Sequence, residues 1–281
     1  MNDQGVKTGE LPVSDGHVCG GSAANYWEKR LSEKWGLHGV GHVSYGRAYN
    51  KYLYHVRRGV FLRHTGCLPI RFRDATVLDV GSGTGFWVEV WKSLGVRSIT
   101  ASDITSFAVE NLRVAHPGIK TIQFDISDSR KAEDMGEKYD LISAIDVMFH
   151  IISDRDFDRA LANVAQLLKP SGFFIFSDNF VHKATARSSH QVSRTLAEVT
   201  RELACHRLRI LKRVPMFVLM NTPVDTGSSF PKILWRVLMA PVKVLPPLGE
   251  IYGALLSPLE LLLTKLLHES PSTELAICQK V

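Results

Sequence analysis

From residue 76 onward the chain alternates short apolar runs with helical segments, and that rhythm constrains the fold more than any other feature. The runs are 76–80 (TVLDV), 98–101 (SITA), 121–124 (TIQF), 139–144 (YDLISA) and 173–177 (FFIFS). Helical patterns fill the intervals at 86–94, 106–115, about 129–136 and 154–168. Apolar strands without alternation, joined by helices, indicate a parallel sheet covered on both faces. Five such repeats make an open, doubly wound α/β sheet. Leu168-Lys169-Pro170-Ser171-Gly172 reads as a helix end turning into a strand. With 281 residues, 45% of them hydrophobic, the chain can bury one large core.

The flanks differ in character. Residues 1–24 are polar, Gly/Ser-rich and aperiodic, and read as a flexible leader. Residues 25–75 form a helical section: Tyr26, Trp27, Arg30, Leu31 and Trp35 share a helical repeat, and a second helix is expected over 48–62. The core sheet is expected over 76–220, with a helix at 188–204 and a strand at 208–219 broken or bulged at Pro215. Residues 221–272 form an insertion rich in Leu and Pro, and 273–280 (TELAICQK) a final strand. Within the insertion, Lys232, Arg236, Lys243, Glu250, Glu260 and Lys265 interrupt the apolar stretch 231–268, so no uncharged run reaches a bilayer span. Its prolines predict two or three short helices. They could cap the site and supply an apolar acceptor pocket, lie in a membrane interface, or pair two copies. These readings predict burial over the sheet's carboxyl edge, an exposed apolar face, or a paired face, and the cap is the expectation carried forward.

Asp79-Val80-Gly81-Ser82-Gly83-Thr84-Gly85 follows a strand and opens a helix, the context of a glycine-rich nucleotide loop. Glycine lets the backbone turn tightly and approach a ligand. A dinucleotide site would want glycine at 86, where Phe86 stands, so a nicotinamide dehydrogenase is disfavoured. The acid at 79 suits a cationic ligand such as S-adenosylmethionine, which carries an ammonium and a sulfonium. Two acids end the next strands. Asp103, beside Ile104, can accept ribose hydroxyls, and Asp125 suits the adenine amino group, with Ile126 offering its backbone N–H.

VLDVGSGTG, then ASDI, FDI, YDLISAIDVMFHI and LLKPSGFFIFSD, spanning about 76–179, resemble the class I methyltransferases. The likeness is to their small-molecule type, which includes ubiquinone-biosynthesis and natural-product O-methyltransferases. The resemblance implies a Rossmann-like seven-stranded sheet whose last strand runs antiparallel, supplied here by 273–280. It further implies S-adenosylmethionine as cofactor and an N-terminal helical lid in which Tyr26, Trp27 and Arg30 cover it. Methyl transfer to a hydroxyl needs alignment and removal of a proton. Histidine is the usual base near neutral pH, and His150 stands where the family places a residue near the methyl. His182, after the fifth run, is the second candidate and His190 the third.

An acid after one strand and an Asp-Asn pair after the next, Asp146 with Asp178 and Asn179, resemble the magnesium set of catechol O-methyltransferases. The competing reading gives Asp146 to the methionine end of the cofactor and makes Asp178-Asn179 a strand-end cap, and no metal is assigned. Cys19, Cys67, Cys205 and Cys278 are scattered, without CxxC or zinc spacing, which favours a reducing, cytoplasmic setting. The N-terminus lacks a signal-peptide pattern. The net charge of +6 is spread over short clusters (Arg57-Arg58, Arg71–Arg73, Arg207–Arg213), so no nucleic-acid partner is expected. A small-molecule or lipid-like acceptor is. A nucleic-acid methyltransferase and a non-catalytic cofactor-binding scaffold are the rival readings.

Overall fold

A computed structural model describes residues 23–281. The leader expected at 1–24 lies outside the described residues apart from its last two positions, as does Cys19.

The described chain opens with α1 (Ala23–Glu33), α2 (Leu37–Val40) and α3 (Gly46–Thr65). There follow β1 (Thr76–Val80), α4 (Phe86–Ser93), β2 (Ser98–Asp103), α5 (Ser106–Ala115), β3 (Lys120–Gln123), α6 (Ser129–Asp134) and β4 (Tyr139–Ala144). Next come α7 (Asp154–Leu167), β5 (Leu168–Asp178), the short strands β6 (Ala186–Arg187) and β7 (Val192–Ser193), and α8 (Leu196–Cys205). The chain closes with β8 (Leu208–Pro215), α9 (Phe230–Val244), α10 (Leu248–Leu266) and β9 (Glu274–Lys280).

Seven strands form one sheet in the order β3-β2-β1-β4-β5-β9-β8. The first five are parallel, and β9 runs antiparallel to both β5 and β8. This is the seven-stranded, Rossmann-like sheet that the resemblance implies, antiparallel last strand included. Strand order reverses between β1 and β4, so a crevice opens outside their carboxyl ends.

Successive strand residues face opposite layers. Val77, Leu141, Phe173 and Ile175 join Leu53 and Phe61 of α3 and Trp91 of α4 on one side. Leu78, Ile142, Phe174 and Phe176 meet Phe157 and Leu161 of α7 on the other. Both faces being covered explains why the strands read as continuous apolar runs. Thr105, Asp128 and Ser153 side chains accept from backbone N–H groups at the starts of α5, α6 and α7, each cap stabilising its helix by about 1 kcal/mol.

Four expectations need correction. The helix expected over 188–204 begins only at Leu196, and the residues before it form the β6–β7 hairpin. Ser188 explains this: its N–H donates to the Gln191 carbonyl and its hydroxyl accepts from the Gln191 N–H, a local turn that outcompetes helix. The irregularity in β8 falls between Ile210 and Lys212, and the strand ends at Pro215. The 168–172 turn is absorbed into β5 as a register shift, with Ser171 at φ 60°. The insertion forms two helices of 15 and 19 residues that keep Pro241 and Pro258 inside them. Among the described residues no helix is long and apolar enough to cross a membrane.

Candidate functional site

The carboxyl ends of β1, β2 and β4, the loop after β3 and the lid helices enclose one cavity. Gly81, Ser82, Gly83 and Thr84 form its floor, Asp103, Ile104, Asp125 and Ile126 one wall, and Asp146, Val147 and His150 another. Trp27, Leu31 and Val40 close it from the lid.

The loop is shaped by contacts at its base. Gly81, Gly83 and Gly85 all have positive φ, and a Cβ on Gly81 would lie 2.4 Å from Val147 Cγ2. Asp79 is fully buried: its Oδ1 accepts from Ser143 Oγ (2.6 Å) and its Oδ2 from Ser82 Oγ (2.7 Å). Trp91 Nε1 donates to the same Ser143 hydroxyl. Burial pushes the Asp79 carboxyl up to about 6. Asp79 therefore braces the strand–loop junction and does not line the cavity, contrary to its reading as a partner for a cationic ligand. Gly85 is likewise outside the lining; it starts α4 against His116.

Asp103 does line it. Its Oδ1 accepts from the N–H and hydroxyl of Thr105, and its Oδ2 from Gly83 N–H (2.9 Å), so the acid and the glycine loop form one unit. Burial holds this carboxyl above the usual range. A carboxylate offers about four lone-pair directions, so acceptor capacity remains. Asp125 spends Oδ1 on the N–H and hydroxyl of Ser127, and Asn163 holds the carbonyl of Ile126.

Asp146 has φ 59°, a left-handed conformation uncommon outside glycine. Its Oδ1 accepts from Ser177 Oγ (2.8 Å) and its Oδ2 lies 2.8 Å from Arg57 Nη2. Arg57, from α3, stacks between the Tyr54 and Phe217 rings and is buried, with Nε and Nη1 unpartnered. The sequence did carry a signal for it, a cation on the same helical stripe as Leu53, Tyr54, Val60 and Phe61.

His150 occupies the residue 148–150 turn after β4, edge-on to Trp27 with ring centroids 5.0 Å apart. Its Nδ1 lies 2.9 Å from the His190 carbonyl, which assigns the proton to Nδ1 and the lone pair to Nε2. Burial lowers its pKa to about 4. His190 thus contributes its carbonyl from the β6–β7 turn, and its ring stacks on Tyr26. Arg30 binds the lid together, donating to the Tyr26 hydroxyl and to the Gly39 and Gly41 carbonyls with its guanidinium over Trp27. His182 is not part of this assembly. It is exposed, paired with Asp225 and close to Glu269, and chiefly the Asp225 bond raises its pKa.

The proposed magnesium set is not assembled as ligands. Arg57 already holds Asp146, and a guanidinium at 2.8 Å opposes a cation there. Asp178 is buried with its Oδ1 accepting from Asn179 N–H, its Oδ2 unpartnered and its pKa pushed up to about 7 by burial. Among the described residues no group of three His, Cys, Asp or Glu could hold a metal ion. Nor do α9 and α10 contribute to the cavity lining, so the insertion does not form the expected cap.

Comparisons with known proteins bear on the family and the fold. The chain is 30% identical over 115 residues to a ubiquinone biosynthesis O-methyltransferase of Chelativorans sp., covering 40% of this chain and 44% of that one. It is 27% identical over 107 residues to the protein so named from Bartonella bacilliformis, covering 38% and 42%. The chain thus spans less than half the length of these curated relatives. The N-methyltransferase NodS of Bradyrhizobium japonicum, solved with S-adenosyl-L-homocysteine, shares the fold at a TM-score of 0.52 and 13% identity, covering 92% of this chain and 98% of that one. A SAM-dependent methyltransferase of Leishmania major superposes at 0.55 with 17% identity, covering 69% and 74%. The family model described as "Methyltransferase domain" matches residues 52–227, more than half the chain and every strand from β1 to β8. This chain belongs to that family, with the class I, S-adenosylmethionine-dependent fold.

Proposed function

We propose that the protein transfers a methyl group from S-adenosylmethionine to a hydroxyl of a small or lipid-like acceptor, with His150 accepting the proton. One observation carries the reading: the glycine loop, Asp103, Asp125 and a neutral His150 line a single cavity at the sheet's switch point. The curated relatives named as O-methyltransferases support oxygen as the acceptor atom.

The residues present fit the cofactor. The positive-φ glycines leave room for close backbone approach, Asp103 and Asp125 keep unused acceptor capacity for ribose hydroxyls and an adenine amino group, and Ile104 and Ile126 flank them. Asp146, held from behind by Arg57, lines the wall that would face the methionine end. S-adenosylmethionine supplies a methyl group on a sulfonium, open to in-line attack by the acceptor oxygen.

The protein's part is positioning and proton removal. Trp27, Leu31 and Val40 exclude water from above. His150 donates Nδ1–H to the His190 carbonyl, so Nε2 presents its lone pair. A pKa near 4 keeps the imidazole neutral across the physiological range. The proton it takes comes from an oxygen that turns positive as the new C–O bond forms; such a proton is strongly acidic, and a weak base suffices. Nε2 then passes it to solvent.

Calorimetry with S-adenosylhomocysteine tests the cofactor, and transfer of label from methyl-labelled S-adenosylmethionine to hydroxyl acceptors tests the reaction. Label recovered only on nitrogen or carbon overturns oxygen as the target.

A further inference from the structure

The α9–α10 hairpin is built inside out. Along α10 the inward stripe is Gly249, Gly253, Ser257, Glu260 and Thr264, all buried, while Ile251, Leu255, Leu259, Leu262 and Leu266 face outward at the same helical spacing. The glycines explain the inward face: a Cβ at Gly253 would lie 2.2 Å from the Tyr52 ring and one at Gly249 2.9 Å from Tyr49, so α10 lies tightly on α3. Glu260 fixes its rotation, its carboxylate accepting from the backbone N–H groups of Val218, Leu219 and Met220. Helix α9 repeats the pattern. Trp235, Met239 and Val242 are buried, whereas Phe230, Ile233, Leu234 and Val237 are exposed, Phe230 to 69%. Of the large apolar side chains exposed among the described residues, all but Val114, Ile152, Leu211 and Val281 lie between 230 and 267. Scattered apolar exposure needs no explanation, but a contiguous face on two helices does.

We infer that this face docks the protein on an anionic lipid bilayer, the hairpin lying in the interface. Charge complementarity selects this occupant. Arg236, Lys243 and Lys265 are exposed on the hairpin and Lys232 is half-buried, whereas the exposed acid between 230 and 267 is Glu250, already matched by Lys51 and Tyr52. Apolar side chains interleaved with basic ones suit acyl chains and anionic headgroups. A second copy meeting this face symmetrically would bring the same cations together. The prolines point the same way. Pro241 and Pro258 supply no helix donor to the carbonyls of Val237 and Ala254, both exposed positions, and a hydrated interface can satisfy those oxygens where a dry contact cannot.

The hairpin also reaches the lid. Pro246 abuts Gly46 at the start of α3, and Trp235 packs edge-on against Tyr45, next to His42. That segment continues from α2, whose Val40 lines the cavity, so docking sets the lid side of the site against the bilayer. This rests on the lipid-like acceptor reading only for its purpose; vesicle binding is measured without turnover.

The test is co-sedimentation of the full chain with vesicles of phosphatidylcholine alone, or of phosphatidylcholine and phosphatidylglycerol in equal parts. The expected result is binding to the anionic vesicles, weaker binding to neutral ones, and release in part by salt. Val237→Glu with Leu255→Glu should weaken partitioning by at least about tenfold, as should Arg236→Glu with Lys243→Glu. Both pairs should retain S-adenosylhomocysteine affinity, which reports intact folding and separates this result from failure of the cofactor reading. Wild-type protein left in the supernatant with anionic vesicles, or a stable dimer that the Val237/Leu255 pair dissolves, overturns the proposal.

Discussion

Alanine at Gly81 should damage the cofactor loop by two separable routes. The first is conformational: φ is +69°, and an L-residue held in the left-handed region costs about 1–2 kcal/mol. The second is steric, because the new Cβ would sit 2.4 Å from Val147 Cγ2, and forcing an extra carbon into a packed site costs about 1–3 kcal/mol. Together they predict a loss of about 2–5 kcal/mol in the stability of the loop and its surroundings, read by urea denaturation. Affinity for S-adenosylhomocysteine, read by calorimetry, falls by tenfold for each 1.4 kcal/mol that displaces the loop. Val147→Ala removes the colliding methyl and leaves φ untouched. The double variant should therefore recover the steric share, about 1–3 kcal/mol, and retain the conformational one. Strict additivity, with a coupling under about 0.5 kcal/mol, would refute the collision as the cause.

Asp103→Ala should weaken S-adenosylhomocysteine by about 1.5–3 kcal/mol, since a charged acceptor and its hold on Gly83 N–H are lost together; unchanged calorimetric affinity would dismiss the acid from the site. His150→Ala should lower kcat by about 10²–10⁴ with S-adenosylhomocysteine binding preserved, whereas His182→Ala should leave turnover unchanged, as its exposed ion pair predicts. EDTA should not alter turnover, because Arg57 occupies the carboxylate a metal would need. His42, which bonds Asn221, is held by burial at about 4 against 6.5 unfolded, so the native state refuses a proton that the unfolded chain takes. Its contribution is complete above 6.5 and is lost as pH falls toward 4, by about 3 kcal/mol. His150 and His64, also lowered to about 4, act in the same sense, and Asp178 and Asp79, raised to about 7 and 6, act in the opposite sense over 3.8 to 7. Urea midpoints for His42→Gln should consequently fall less between pH 7 and 4 than those of the wild type.

The parallel half of the sheet was legible because both faces of β1, β2, β4 and β5 are covered, so these strands announced themselves as apolar runs. Strands β1 to β4 have a glycine turn or helix cap behind them, and β3, at the edge, was placed by its position in the alternation. Asp103 and Asp125 were legible for the same reason, as strand ends in an open α/β sheet point at the ligand. Asp79 shows the limit of that logic. Its place beside the loop is local and visible, but its use as a brace depends on Ser143, 64 residues away and reached only through the β1–β4 pairing. Arg57 was missed because a cation on an apolar stripe was counted with the surface charges. The start of α8 could have been placed correctly, for Thr195-Leu196-Ala197-Glu198 is a capping box, with both reciprocal bonds present. For the insertion, composition identified the helices, but which face turns outward is set by Glu260 and the glycines against α3, a tertiary matter.

The place of β9 has a consequence for how the molecule is made. It follows every other strand in the chain, yet it sits inside the sheet, with Ile277 beside Ile175 of β5 and Lys212 of β8. Until residues 274–280 leave the ribosome, β5 has an open edge and β8 has no sheet partner, both templates for wrong pairing. The early strands can assemble during synthesis, but the sheet closes only at the last step, and closure must bring the strand back across the excursion between β8 and β9. Because the entropy of closing a loop grows only logarithmically with its length, that excursion can be lengthened at little entropic expense, provided the contacts of α9 and α10 with α3 are kept. Deleting β9 instead removes the seam joining the two halves, so nascent chains short of it should be held by chaperones.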